Sequence, residues 1–263
     1  MAQSDKMLAR KDGPVGHLIF NNPERRNAVS LEMWQAIVSI LEDFAADAAI
    51  RVVVLSGAGG KAFVSGADIS KFADERTGAE AIARYNAAVE GANAAVHGFP
   101  KPTIAMIQGY CVGGGVGLAL CCDLRICSED SRFAVPAARL GLGYAYPGLK
   151  RMVDVVGPAF AKEIFYTARQ FDAREAAAMG LVNRVVPVEE LEGFVADYAD
   201  RIASNAPLTI AGVKFGVDEV LKDPGERDLG RCAAMVERCF ESQDYIEGRR
   251  AFMEKRKPVF TGR

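Results

Sequence analysis

A chain of 263 residues, half of them hydrophobic, can bury one substantial α/β-sized core. Its 32 basic and 34 acidic residues leave a net charge of −2, which removes any bulk electrostatic case for nucleic acid or an anionic membrane as partner. Six cysteines without paired spacing, only two histidines (His17 and His97) and no apolar run of membrane-spanning length argue against a metal centre, a redox dithiol and a membrane helix.

The first residues lack a signal-peptide pattern, so a cytoplasmic protein is expected. Val15 to Phe20 reads as a strand, followed by a polar loop, Asn21 to Asn27, that carries Arg25 and Arg26. Ser30 should cap a helix from Leu31 to about Asp47, because Leu31, Trp34, Ile37, Val38, Leu41 and Phe44 recur at three and four. The nearly continuous β-branched run Arg51 to Gly57 predicts a strand buried on both faces, and Ala58 to Ile69 is small and loop-like. Asp74-Glu75-Arg76 is expected to be a solvated lid. A helix from about Ala79 to Gly98 ends at Phe99-Pro100-Lys101-Pro102.

Residues 101 to 134 read as a short apolar strand, the turn Gly113-Gly114-Gly115, an apolar helix and a second strand. Such a turn exposes helix N-terminal N–H groups to a ligand oxygen that gains negative charge, and it equally permits tight packing of helix on sheet. The residues alone leave both readings open. Ser131 to Pro147 mixes a strand end with a long irregular loop that offers Arg139, Tyr144 and Tyr146. Gly157-Pro158 should start a helix to about Ala168, and a short helix at Asp172 to Met179 and a strand at Arg184 to Val186 follow. Four more helices complete the chain, over 189–204, 208–221, 229–242 and 246–257. The expected division is a body of residues 1–195 and a helical region of 196–263, with an apolar surplus that suggests subunit contacts.

Separated motifs give the chain a resemblance over nearly its full length. They are Asn22-Pro23 through Asn27-Ala28; Ala62-Phe63 with Ser65-Gly66-Ala67-Asp68-Ile69; Lys101-Pro102 through Gly109-Tyr110, Gly113-Gly114-Gly115 and Cys122-Asp123; Phe133 with Pro136 and Leu140-Gly141; and Ala178 to Asn183. In these the chain resembles the crotonase, or enoyl-CoA hydratase/isomerase, superfamily. The resemblance implies an α/β fold, a ββα spiral core with a C-terminal helical trimerisation region, assembled as a homotrimer or a dimer of trimers. It implies an acyl-CoA thioester as substrate, with coenzyme A as part of that substrate and no separate cofactor. The backbone N–H groups of Ala67 and Gly114 would hold the thioester oxygen. Arg25, Arg26, Ser65, Asp68 and Ile69 would lie along coenzyme A, and Phe252 and Lys255 would reach the nucleotide, often across the subunit interface.

The chain departs from the family where hydratases carry two glutamates: those positions are Gly117 and Ala137, and neither can move a proton. An intact oxyanion turn without those carboxylates favours a reaction in which the leaving group supplies the electron pair, such as decarboxylation of a branched malonyl-CoA. Leu140-Gly141-Leu142-Gly143-Tyr144 is similar to a loop of methylmalonyl-CoA decarboxylase, which implies Tyr144 facing the substrate carboxylate. That decarboxylase keeps the first glutamate and has a histidine where Ala67 stands. A hydratase or isomerase with a relocated acid/base, and an inactive acyl-CoA-binding protein, are the alternatives. Cys111 is disfavoured as a nucleophile because no histidine is near it in sequence.

Overall fold

The chain begins with a hairpin, β1 (Met7–Asp12) and β2 (Val15–Phe20), whose connection holds Gly13 at φ 52°. The computed structural model describes residues 5–68, 71 and 77–263; Ile69 and Asp74-Glu75-Arg76 lie outside the described residues. After α1 (Leu31–Ala46) come β3 (Val52–Gly57), β4 (Ala62–Val64) and α2 (Ala79–His97). The next turn is β5 (Thr103–Ile107), β6 (Tyr110–Val112) and α3 (Gly114–Cys121). The one after is β7 (Leu124–Ser128), β8 (Arg132–Ala134) and α4 (Tyr146–Thr167). Then follow β9 (Phe171–Asp172), α5 (Ala173–Ala178) and β10 (Arg184–Val186). The chain ends in α6 (Leu191–Ser204), α7 (Pro207–Val220), α8 (Leu229–Glu241) and α9 (Gln243–Met253).

The larger sheet has the order β1-β2-β3-β5-β7-β10 and is parallel from β2 onward; the smaller has the order β4-β6-β8-β9. Each central turn therefore gives one strand to each sheet before its helix, which is the ββα spiral the resemblance implied. Strand β3 explains why its sequence lacks alternation. Val53 and Leu55 face the main core with Trp34, Ile37 and Phe44 of α1, while Val52 and Val54 face a second cluster with Leu191, Val195 and Ala199 of α6. Ser30 caps α1 by accepting from the Met33 N–H, as expected.

Three elements differ from the sequence reading. Strand β1 was not anticipated: Met7 is its only buried residue, and exposed Arg10, Lys11 and Asp12 conceal it. Strand β4 lies inside a stretch read as loop. Helix α4 starts at Tyr146, well before the expected start, and Gly157 at φ 74° kinks it where the sequence placed its beginning. The division expected at 195/196 falls within α6, whose Val195 and Ala199 pack in one cluster. No helix among the described residues is long and apolar enough to cross a membrane. Helix α8 buries no residue, and Val213, Val217, Val220, Leu229, Val236 and Phe240 are exposed on the C-terminal helices.

Candidate active site

Strands β4 and β6 lie side by side and hand over to two glycine turns, Gly66 at φ 106° and Gly113 at φ 57°. A Cβ on Gly66 would stand 3.4 Å from the Val112 carbonyl oxygen, and one on Gly113 would stand 4.0 Å from Gly66 Cα, so the two turns touch. Ala67 forms an isolated parallel bridge with Val29. In it the Val29 N–H donates to the Gly66 oxygen (2.9 Å) and the Asp68 N–H to the Val29 oxygen (3.1 Å), which engages the residues on either side and leaves the Ala67 N–H facing away. Gly114 opens α3; the Gly113 N–H bonds to Ala134 O (2.8 Å) and the Gly117 N–H bonds back to Gly113 O (3.2 Å). Neither the Ala67 nor the Gly114 N–H has a partner among the described residues. Adjacent turns of the spiral thus supply two free donors, one of them at the positive end of a helix.

Buried aromatics brace this corner. A Cβ on Gly114 would come within 3.2 Å of the Trp34 ring, so the turn sits directly on the indole and a side chain there would press on it. Trp34 Nε1 donates to the Tyr85 hydroxyl (3.0 Å), which donates to Val29 O (3.3 Å). The sequence placed Trp34 and Tyr85 on helix faces and carried no sign of this link. Asn27, fully buried at φ 55°, accepts from the Asn22 N–H (2.9 Å) and donates to Ala62 O (2.7 Å) and Ala58 O (3.0 Å). It fastens the arginine loop to the start of β4. At the other end of α3, buried Arg125 donates to Cys122 O (2.7 Å), Ala119 O (3.4 Å) and Leu181 O (2.8 Å), covering the negative end of the helix dipole.

Among the expected coenzyme A contacts, Arg25, Arg26 and Ser65 come together, while Asp68 is buried and bonds through its N–H to Val29. Ser65 donates through Oγ to Arg25 O (3.3 Å) and through its N–H to Arg26 O (3.2 Å). The Arg26 guanidinium lies 4.9 Å over the Tyr110 ring, beside an open groove that Lys61 and Arg132 also line. Ile69 lies outside the described residues. Phe252 and Lys255 stand exposed at the end of α9, and no hydrogen bond among the described residues ties that end to the Arg25 or Ser65 loops.

Tyr144 lies beside Gly117. Its hydroxyl is 3.5 Å from where a Gly117 Cβ would stand, in ordinary contact with that position. The ring packs edge-on to Phe165 (4.6 Å between centroids), and a Cβ on Gly148 would fall 2.7 Å from the ring. Burial pushes the phenol pKa up, Cys121 adds to the rise, and Arg151 opposes it. The Tyr144 hydroxyl has no hydrogen-bond partner among the described residues. Arg151 on α4 reaches Glu90 on α2, with Nη2 3.1 Å from Oε1 and 3.0 Å from Oε2. Sequence reasoning missed this pair, because Arg151 lies on the part of α4, before Gly157, to which the sequence assigned no helix. Ala137 is buried in the core, while Arg139 and Tyr146 are exposed. Burial raises the thiols of Cys111 and Cys121, the latter to about 12, so neither is a nucleophile at neutral pH.

The arrangement can place negative charge on an oxygen before two backbone donors, with the Tyr144 phenol beside Gly117, one turn along α3 from Gly114; no carboxylate stands at 117 or 137. Residues 10–263 match the enoyl-CoA hydratase/isomerase family. The chain is 34% identical over 260 residues to the crotonyl-CoA hydratase of Syntrophomonas wolfei subsp. wolfei, covering 97% of this chain and 98% of that one. It is also 34% identical over 260 residues to the peroxisomal Delta(3,5)-Delta(2,4)-dienoyl-CoA isomerase of Arabidopsis thaliana, covering 95% and 93%. The crystal structure of an enoyl-CoA hydratase/carnithine racemase from Magnetospirillum magneticum superposes with a TM-score of 0.92 at 39% identity, covering 99% of this chain and 97% of that one.

Proposed function

The chain belongs to the enoyl-CoA hydratase/isomerase family, and from that premise we propose that it stabilises a thioester enolate at the Ala67 and Gly114 N–H groups and uses Tyr144 to move the proton. The specific reaction is decarboxylation of a branched malonyl-CoA. The bond between the carboxylate carbon and the α-carbon breaks, CO2 leaves, and its electron pair forms the enolate. The α-carbon then takes the Tyr144 proton, and the phenolate regains one from water. The observation that carries this reading is the Tyr144 hydroxyl 3.5 Å from the Cβ position of Gly117. An acid is thereby present beside the position where the carboxylate is missing; a phenol is neutral at physiological pH, and burial holds it more firmly so. Aligned backbone donors are worth roughly 3 to 4 kcal/mol each to such a transition state.

Coenzyme A lies along Arg25, Arg26, Ser65, Asp68 and Ile69 in this reading, and Phe252 and Lys255 serve the nucleotide of a neighbouring protomer. No other cofactor is required. The exposed apolar faces of residues 196–263 support assembly as a homotrimer or dimer of trimers. A second reading, a hydratase or isomerase with a relocated acid/base, is favoured by the activities in the relatives' names.

Mass spectrometry after incubation with methylmalonyl-CoA, ethylmalonyl-CoA, crotonyl-CoA and a dienoyl-CoA tests both. Loss of CO2 from a malonyl thioester, abolished by Gly114→Pro, supports the first reading. Hydration of crotonyl-CoA or isomerisation of the dienoyl-CoA with inert malonyl thioesters selects the second. Tight binding without any conversion identifies an acyl-CoA-binding protein instead.

A further inference from the structure

We propose that Arg151, tethered by Glu90, determines specificity by receiving a carboxylate on the acyl group, so that the protein prefers carboxylated acyl-CoA thioesters to plain ones. The proposal rests on the acyl-CoA reading of the glycine turns. Tyr144 touches Gly117 on α3 and Gly148 on α4. Cys121 lies one helical turn beyond Gly117, and Arg151 one turn beyond Gly148, and both are close enough to the Tyr144 phenol to act on its charge. Glu90 reaches this place from α2.

The guanidinium is only partly used. Its side chain is 14% exposed, yet among the described residues Nη2 alone has a hydrogen-bond partner, and that one nitrogen serves both Glu90 oxygens. Nε and Nη1 have no partner among the described residues and, like the Tyr144 hydroxyl, are not closed off from water. A largely buried cation with idle donors gains nothing from an alkyl chain, which would desolvate it further, whereas a carboxylate satisfies it. Glu90 tempers that attraction. Its side chain is 45% exposed and offsets the Arg151 charge, so an incoming carboxylate is oriented without being held too firmly to leave as CO2. Among the described residues, the charged and titratable groups around the Tyr144 phenol are Arg151, Glu90 and Cys121, with Arg125 acting on Cys121 in turn.

Calorimetry with butyryl-CoA, succinyl-CoA and glutaryl-CoA on the full chain tests this. At least one carboxylated thioester should bind about tenfold tighter than butyryl-CoA, as expected for one charge-assisted hydrogen bond. Arg151→Met should erase that preference and leave butyryl-CoA within about twofold, while Arg151→Lys keeps part of it. Glu90→Gln, which frees the guanidinium, should tighten the carboxylated ligand several-fold, a gain that a purely structural ion pair would not give. Equal binding of all three thioesters by the unaltered protein overturns the proposal, as does an Arg151→Met variant that weakens all three alike. Should none of the three bind, the acyl-CoA reading itself fails, and this proposal with it.

Discussion

Replacing Gly115 with alanine tests whether the oxyanion corner depends on the contact between α3 and β4. A Cβ there would stand 2.2 Å from the Val64 carbonyl oxygen and 2.9 Å from Val64 Cβ. Ordinary carbon–oxygen contact needs about 3.3 Å, so helix and strand must part by about 1 Å. Alanine gains about 1 kcal/mol of helix propensity over glycine, but overpacking against backbone costs about 1 to 3 kcal/mol, so the net effect is destabilising. The same displacement separates the Gly114 N–H from the Ala67 N–H, since one follows β6 into α3 and the other follows β4. A misplacement of about 1 Å in a catalytic array costs about 100-fold in rate. We expect kcat to fall by that order on whichever thioester the protein converts, and the urea midpoint to drop. Gly193→Ala on α6, where a Cβ meets nothing within 4 Å, should leave kcat unchanged and stability equal or up to about 1 kcal/mol higher. Should Gly115→Ala keep kcat within about threefold while the control behaves as stated, the geometric argument for the two donors is wrong.

Tyr144→Phe retains the ring contacts with Phe165 and Gly148 and removes only the donor, so turnover should fall at least about 100-fold with little change in Tm; an unchanged rate refutes its role. Because the folded phenol pKa lies above its ordinary value of about 10, the unaltered protein should keep its acid until pH exceeds that value, and rate profiles to high pH check this. The linkage has the matching sign: the unfolded phenol ionises first, so this group's contribution to stability declines as pH rises past about 10. Arg125→Met leaves the Cys122, Ala119 and Leu181 carbonyls without their cationic donor and should cost about 3 kcal/mol, read from urea unfolding. Cys111, Cys121, Cys122 and Cys127, all buried with raised thiol pKa values, should resist a disulfide reagent at about pH 8 until the chain is unfolded.

The elements legible in the sequence were those whose side chains meet one requirement along their whole length. Strand β3 must be apolar on both faces, Ser30 must offer an oxygen to a helix start, and Gly115 must lack a Cβ; each leaves a mark at its own position. Strand β1 left none, because its partner covers only one edge and solvent accepts its charges. The first part of α4 was not anticipated because Gly141, Gly143, Pro147 and Gly148 crowd its entrance. For the site, Gly114 was marked by the glycine run, whereas Ala67 came only through resemblance, since a backbone donor constrains its own side chain little. The Glu90–Arg151 pair joins residues 61 apart through the meeting of two helix faces, a relation no local pattern encodes.

The lodging of one ring between two glycines also limits the routes by which this site could change. Tyr144 fits because Gly148 admits its ring, where a Cβ would fall 2.7 Å away, whereas a Cβ at 117 would stand in ordinary contact with its hydroxyl at 3.5 Å. An alanine at 117 is therefore accommodated beside the phenol, and an alanine at 148 displaces the ring. A change that begins at 148 loses the acid at once, while one that begins at 117 can keep it. Directed evolution from this chain should accept small side chains at 117 and reject any side chain at 148.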